Sequence, residues 1–257
     1  MKKLKQTLRA VPLLGGLAKQ VYRGIIPDVG NPSFWIDKYL KNRNLSIVQI
    51  GSNDGISGDP IFHLIKKNKK WKALFVEPVP YLFEKLKSNY KLAPRFIFEN
   101  VAINDGSNEV FYWVKEDINQ KIPNLPSWYD KLGSFNKEHI LKYGDGILEP
   151  FIVETKVKGL TLKQLLERNK IDKIDLLHID TEGYDWKILS QLNLDRYFPT
   201  IILFEHHHLS ESEKEESIMF LKKDYHLFQF SIDFLCLRID MIKKKDLNVL
   251  RERLIVG

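Results

Sequence analysis

The apolar residues fall in short runs that switch repeatedly between the two-residue period of a strand and the longer period of a helix. Residues 46–50 form a β-branched run that stops at Gly51. Residues 60–67 read as a helix and 73–76 as a strand, and 81–90 place Leu82, Phe83 and Leu86 on one helical face. Strands are predicted at 96–101 and 109–114. A helix follows at 161–168, opening on Thr161, whose hydroxyl suits an N-cap. A strand at 174–179, a helix at 186–192, a strand at 201–204 and a helix at 211–222 continue the alternation. The last two runs, 225–231 and 234–239, are separated by Ile232 and Asp233 and read as an antiparallel hairpin.

Alternating strand and helix units predict an α/β fold, a doubly wound Rossmann-like sheet covered on both faces. Residues 115–149 interrupt the pattern with Pro123, Pro126, Trp128, Tyr129 and Phe135, and a connection of that length reads as a substrate lid. Trp113, Trp128 and Tyr129 there suit stacking on a sugar or planar ring, and suit a small secondary core equally. The chain divides into an N-terminal helical arm (1–44), a main domain (45–240) and a lysine-rich tail (241–257) read as a solvated terminal helix.

Charge refines this picture. The 257 residues carry a formal charge of +7. Six basic side chains in residues 1–30 stand against Asp28 alone, so +5 of that charge sits in the arm. A nucleic-acid-binding body would carry a basic stripe with interleaved aromatics, so no nucleic-acid partner is expected. The arm's uncharged stretch, 10–18, is broken by Pro12, Gly15 and Gly16 and is too short to span a bilayer. A basic amphipathic arm suits contact with an anionic membrane surface, and a helix packed on the domain is the alternative. A single cysteine, Cys236, excludes an intrachain disulfide and suits a reducing compartment. The expectation is a cytoplasmic protein, peripheral to the inner membrane face where the arm engages it.

Chemistry gathers at the predicted strand ends. The first strand runs into Gly51, Ser52, Asn53, Asp54 and Gly55. Ligands of open α/β sheets bind beyond the carboxyl ends of the strands, and glycine there lets backbone approach a ligand. The spacing is G-x3-G-x2-G, not the G-x-G-x-x-G of dinucleotide enzymes. The second strand ends at Glu77 and Pro78, and a carboxylate there can accept bonds from both hydroxyls of a ribose. Asp54 and Asp59 would repel phosphates but tolerate an ammonium and a sulfonium. At the third strand, Asn100, Val101 and Ala102 offer backbone N–H groups to an adenine. Asp180 and the Glu205-His206-His207-His208 run close the fourth and fifth strands.

VQIGSNDG (48–55), LFVEPVP (74–80), ENVAIND (99–105), LLHIDTEGYDWKIL (176–189) and IILFEHH (201–207) resemble, in order and spacing, the FkbM family of S-adenosylmethionine-dependent methyltransferases. The most specific stretch is IDTEGYDWKIL. The resemblance implies a seven-stranded methyltransferase sheet with a C-terminal antiparallel hairpin. It also implies methyl transfer to a hydroxyl of a sugar, glycan or secondary metabolite. By it, Gly51 to Gly55 line the methionine half of the cofactor, Glu77 holds the ribose, and Val101 and Ala102 flank the adenine; Pro78, Asn100 and Asp180 are further cofactor-binding candidates. Gln49 stands where many methyltransferases carry an acid, and Asp54 is its candidate substitute toward the cofactor's ammonium.

A hydroxyl acceptor needs a base or a metal. Asp180, Glu205 and His206 are the candidates, with His206 as general base or all three as ligands of a divalent ion. Oxygen ligands suit Mg²⁺ or Mn²⁺, and the consecutive histidines suit Zn²⁺ or Ni²⁺. The structural alternative is that Asp180 and Glu182 cap a helix starting near Tyr184. A continuing strand would point His207 away from His206 and His208. His63, His139, His178 and His226 read as structural or surface. Three rival functions are weighed. A nicotinamide-dependent oxidoreductase lacks its glycine spacing here. A nucleic-acid methyltransferase would carry an Asp/Asn-Pro-Pro-aromatic loop where Asp180-Thr181-Glu182-Gly183 stands. A non-catalytic adenosyl-binding module would have no need of Asp180, Glu205 and His206 together.

Overall fold

The computed structural model describes residues 28–91 and 93–256. The first half contains α1 (Pro32–Leu40), β1 (Leu45–Ile50), α2 (Phe62–Lys67), β2 (Trp71–Val76), α3 (Pro80–Tyr90) and β3 (Phe96–Glu99). The middle holds β4 (Ala102–Ile103), β5 (Glu109–Val114), α4 (Ile118–Lys121), β6 (Gly133–Ser134), α5 (Lys137–Leu141), β7 (Ile152–Val157) and β8 (Gly159–Leu160). Then come α6 (Leu162–Arg168), β9 (Leu176–Ile179), α7 (Asp185–Leu189), α8 (Leu194–Tyr197), β10 (Ile201–Glu205) and α9 (Glu211–Leu221). The chain closes with β11 (Tyr225–Phe230), β12 (Asp233–Arg238), α10 (Lys244–Leu250) and β13 (Leu254–Val256). The expected division at residue 44 falls between α1 and β1, and most of the basic arm, residues 1–27, lies outside the described residues.

The central sheet has the order β13-β11-β12-β10-β9-β1-β2-β3. β3, β2, β1, β9 and β10 run parallel, and β12, β11 and β13 attach antiparallel. The parallel strands read as near-continuous apolar runs because both faces are covered. On one face Val48, Leu177, Ile202 and Phe204 pack with Leu165 of α6, Leu189 of α7 and Leu221 of α9. On the other, Ile47, Phe75, Leu176 and Leu203 pack with Trp35 and Leu40 of α1, Ile65 of α2 and Leu250 of α10. Thr161 caps α6 as expected, in a reciprocal box with Gln164.

Four expectations change. The sheet has eight strands, not seven, because the tail returns as β13 beside β11. The tail helix is not simply solvated: Leu250 is buried, and Asp246 accepts from Lys38 Nζ at 2.6 Å and Tyr39 Oη at 2.7 Å. The third strand stops at Glu99, and Ala102–Ile103 pairs with Gly159–Leu160 instead. Finally, β5 leaves the central sheet and pairs with β6 and β7. With residues 115–149 it forms a cap that has its own small core of Val114, Ile118, Tyr129, Leu132, Ile140 and Leu148. Tyr129 is therefore part of a secondary core, while Trp128 is exposed.

Candidate active site

Strand order reverses between β1 and β9, and a cleft opens at the carboxyl ends of the strands there. It is a cavity of about 240 Å³. The sequence-predicted residues Gln49, Gly51, Ser52, Asn53, Glu77, Pro78, Val101, Ala102 and Asp180 all line it. Asp54, Gly55, Asn100, Glu205 and His206 do not. Asp59, His178, Glu182 and Tyr184 line it from the core, and Phe111, Lys131, Gly133 and Phe135 from the cap.

The turn after β1 is fixed by its own hydrogen bonds. Gly51 and Ser52 N–H both donate to Val76 O, at 3.0 and 2.9 Å, and Ser52 Oγ donates to Gln49 O at 3.0 Å. Gly51 has φ +77°, and a Cβ there would stand 1.7 Å from Asp180 O. Only glycine lets the ends of β1 and β9 come this close. Asp54 folds back into its loop, accepting Ile56 N–H, Ser57 N–H and Ser57 Oγ–H at 2.9, 2.7 and 2.6 Å. Those bonds engage the carboxylate that was the candidate substitute for an acid at Gln49. Asp59 lies nearer: Gln49 Nε2 donates to its Oδ2 at 3.2 Å, and burial pushes Asp59 up to about 6. Gln49 Oε1 is buried without a partner among the described residues.

Glu77 sits beside this turn. Its Oε2 accepts Asn53 N–H at 2.7 Å and its Oε1 accepts Val79 N–H at 2.8 Å. Burial outweighs both donations and pushes its carboxyl up to about 7. Asn100 braces the same strand end from outside the cleft, donating to Glu77 O at 2.7 Å. Val101, Ala102 and Ile103 form an apolar wall. The Ala102 N–H is engaged, donating to Lys158 O at 2.9 Å, so it is not the free donor anticipated for adenine.

β9 delivers His178, Asp180 and Glu182 to the cleft. Burial lowers His178 to about 4, so its imidazole is neutral. Asp180 opens onto the cleft but is ringed by protein; burial, then Asp185, Glu182 and Asp233, hold its carboxyl well above the ordinary carboxylate range. Neither Asp180 nor Glu182 caps α7, whose N-cap position is Tyr184 with no side-chain bond. Asp185 instead organises the loop: its Oδ2 accepts Thr181 N–H, Thr181 Oγ–H and Gly183 N–H at 3.3, 3.0 and 3.3 Å. This holds Glu182 at φ +54°, a left-handed backbone that non-glycine residues adopt at some cost.

The histidine run behaves differently from a continued strand. β10 stops at Glu205, and His206 N–H donates to Ile232 O at 2.9 Å. The His206 ring stacks on Phe234 with centroids 4.0 Å apart, and both ring nitrogens are buried without partners among the described residues. His206 is thus held away from the cleft. His208 turns the other way and meets Glu182 and the cap residue His139, each Nε2 lying 3.3 Å from Glu182 Oε2. Glu205 Oε1 is 3.7 Å from His208 Nε2, and burial, then Asp180, raises the Glu205 carboxyl to about 10. Among the described residues, His139, Glu182 and His208 are the three side chains whose ligand atoms could hold one ion, in place of the Asp180, Glu205 and His206 set. His139 was read as structural or surface because only the cap's position over the strand ends reveals its partners.

No curated protein matches the chain. Among solved structures, a putative class I S-adenosylmethionine-dependent methyltransferase from Listeria monocytogenes is similar at 11% identity over 91% of this chain and 69% of that one, with a TM-score of 0.42. A precorrin-6y C5,15-methyltransferase from Geobacter metallireducens shares 10% identity over 80% of this chain and 84% of its own, with a TM-score of 0.40. The ribosomal protein L11 methylase of Lactobacillus delbrueckii shares 9% over 80% and 74%, with a TM-score of 0.37. The Methyltransferase FkbM domain matches residues 49–238, well over half of the sequence, and the chain belongs to the FkbM methyltransferase family.

Proposed function

We propose that the protein transfers a methyl group from S-adenosylmethionine to a hydroxyl of a sugar, glycan or secondary metabolite. One observation carries the reading: a buried glutamate ending β2 faces the same cleft as the Gly51 turn at the switch point. S-adenosylmethionine is the expected cofactor of the family, and the residues present fit it. Each Glu77 oxygen takes one backbone donor and retains a lone pair for a ribose hydroxyl. The partnerless Gln49 Oε1, with Asp59 beside it, suits an ammonium group. The wall of Val101, Ala102 and Ile103 suits an adenine face. When bound, the cofactor supplies an electrophilic methyl on a sulfonium.

The chain's own residues align and enclose. The cavity of about 240 Å³ between the strand ends and the cap is the cofactor's place. One cofactor fills it, and the acceptor approaches from the mouth beneath the cap. Phe135 of the cap and Tyr184 of the core both line the cleft, with ring centroids 5.0 Å apart. Asp180 and Glu182 stand where the acceptor hydroxyl arrives. Holding two reactants in line contributes about 7–11 kcal/mol of barrier lowering.

Calorimetry with S-adenosylhomocysteine tests the cofactor half, and methyl-labelled S-adenosylmethionine offered with acceptor pools tests the rest. Labelled ether products are expected. Absence of measurable S-adenosylhomocysteine binding would end this reading, and a label found only on nitrogen would end its hydroxyl part.

A further inference from the structure

We propose that His139, His208 and Glu182 form a binding site for a divalent transition-metal ion of the Zn²⁺ class, bordering the cleft and with an open coordination position. His139 Nε2 and His208 Nε2 each stand 3.3 Å from the same oxygen, Glu182 Oε2. Zinc holds imidazole nitrogen and carboxylate oxygen at about 2.0–2.2 Å, which sets tetrahedral neighbours roughly 3.3–3.5 Å apart. All three ligand atoms lie within 4.8 Å of one another, so a single ion reaches them with small side-chain adjustment.

His208 gathers several polar groups around one ring nitrogen. His208 Nε2 faces Tyr143 Oη at 3.2 Å, Glu182 Oε2 at 3.3 Å and Glu205 Oε1 at 3.7 Å. With that nitrogen unprotonated, Tyr143 Oη–H donates to it or, turned away, leaves its lone pair free for an ion. Glu205 is only 6% exposed, and its Oε2 has no partner among the described residues. The carboxyl groups of Glu182 and Glu205 thus converge on one imidazole edge. A dication there favours the ionised form of both. With the proton on Nδ1 of each ring, both Nε2 lone pairs are free to ligate.

Two imidazoles and one carboxylate make the ligand count of a zinc site that keeps a fourth, exchangeable position. Glu182 lines the cleft, whereas His139 and His208 lie beside it, so an ion held by the three borders the cleft. His139 comes from α5 of the cap, whereas Glu182 and His208 follow β9 and β10, so the ion also ties the cap to the core. The ion site stands independently of methyl transfer. Only its use, taking the acceptor's hydroxyl oxygen at the open position, rests on that reading.

The test strips the full-length protein with a chelator, then titrates it with Co²⁺ and Zn²⁺. Calorimetric stoichiometry and the visible bands of four-coordinate Co²⁺ report the site, and S-adenosylhomocysteine affinity is measured on the same samples. One ion per chain is expected, with affinity falling by about 100-fold or more in His139→Ala and in His208→Ala. His207→Ala, whose ring is exposed, binds as the parent does. No stoichiometric ion overturns the site. Parent-like affinity in His139→Ala also overturns it, because the consecutive histidines would then suffice. Should either alanine variant fail to fold, Glu182→Gln serves instead: at least about tenfold weaker binding supports the site, and unchanged affinity overturns it. Stoichiometric ion binding without S-adenosylhomocysteine binding supports the site and counts against the methyl-transfer reading alone.

Discussion

Glu77 combines burial with a task that needs its charge. Its carboxyl is pushed from 4.5 up to about 7, yet only the ionised form accepts from two ribose hydroxyls while keeping both backbone donors. Cofactor binding therefore favours the deprotonated group. Affinity for S-adenosylhomocysteine should be low near pH 6, rise through pH 7 and level off by pH 8, by calorimetry in buffers matched for ionisation heat. In the ligand-free protein the sign is opposite. The fold binds this proton more tightly than the unfolded chain does, so Glu77 costs stability as pH rises from 4.5 through 7. Glu77→Ala should weaken the ligand by about 1.5–3 kcal/mol, the range for hydrogen bonds to a charged group, and flatten the pH profile. A profile unchanged by the substitution would assign the titration elsewhere. His206 offers the contrasting case. Its ring stacks on Phe234 with two buried, partnerless nitrogens, each a desolvation cost. His206→Phe keeps the shape and removes both. It should raise the urea midpoint, by about 1–3 kcal/mol of stability, with cofactor affinity unchanged. A destabilised His206→Phe protein would mean that the imidazole has a partner in solution.

The C-terminal helix α10 shows how an element with a polar sequence can still be structural. Its lysines face outward while Leu250 enters the core and Asp246 receives Lys38 and Tyr39 from α1. Asp246→Ala leaves those donors unmatched, and a loss of about 1.5–3 kcal/mol in denaturant unfolding is expected, with S-adenosylhomocysteine affinity intact. Stability within about 0.5 kcal/mol of the parent would show that α1 and α10 dock without it. The sequence concealed this because the decisive contacts join residues some two hundred positions apart. What it disclosed was local: β1, β2, β9 and β10 are apolar runs long enough to stand out, and each ends in a polar cluster that the parallel arrangement brings together. Gly51, Glu77 and Asp180 were legible for that reason. The histidines were not, because alternation along a strand holds only while the strand lasts, and β10 stops one residue before them. Likewise, the pairing of β5 with β7 rather than the central sheet depends on a long-range closure that no local pattern encodes.

The assembled molecule carries a net positive charge but lines its cleft with Asp59, Glu77, Asp180 and Glu182. Those carboxyls, once ionised, favour a cationic ligand over a polyphosphate. Above the cleft, the cap has a smaller core of its own, and a further small cluster, Phe111 and Val157 with Val79, Leu82 and Ala102, joins it to the body. Small clusters with few buried apolar contacts open more readily than a core strand does. The cap should therefore exchange its amide hydrogens as one cooperative unit, faster than β1, β9 and β10. Lys131, Gly133 and Phe135 reach from the cap into the cleft, so a ligand seated there touches both parts. S-adenosylhomocysteine should slow exchange across residues 111–151 more than across β13, at the far edge of the central sheet. Hydrogen exchange read by mass spectrometry, with and without ligand, measures both expectations. Uniform exchange through cap and sheet, or protection confined to the β1 turn, would mean that the cap is fixed scaffold and that the acceptor enters by another route.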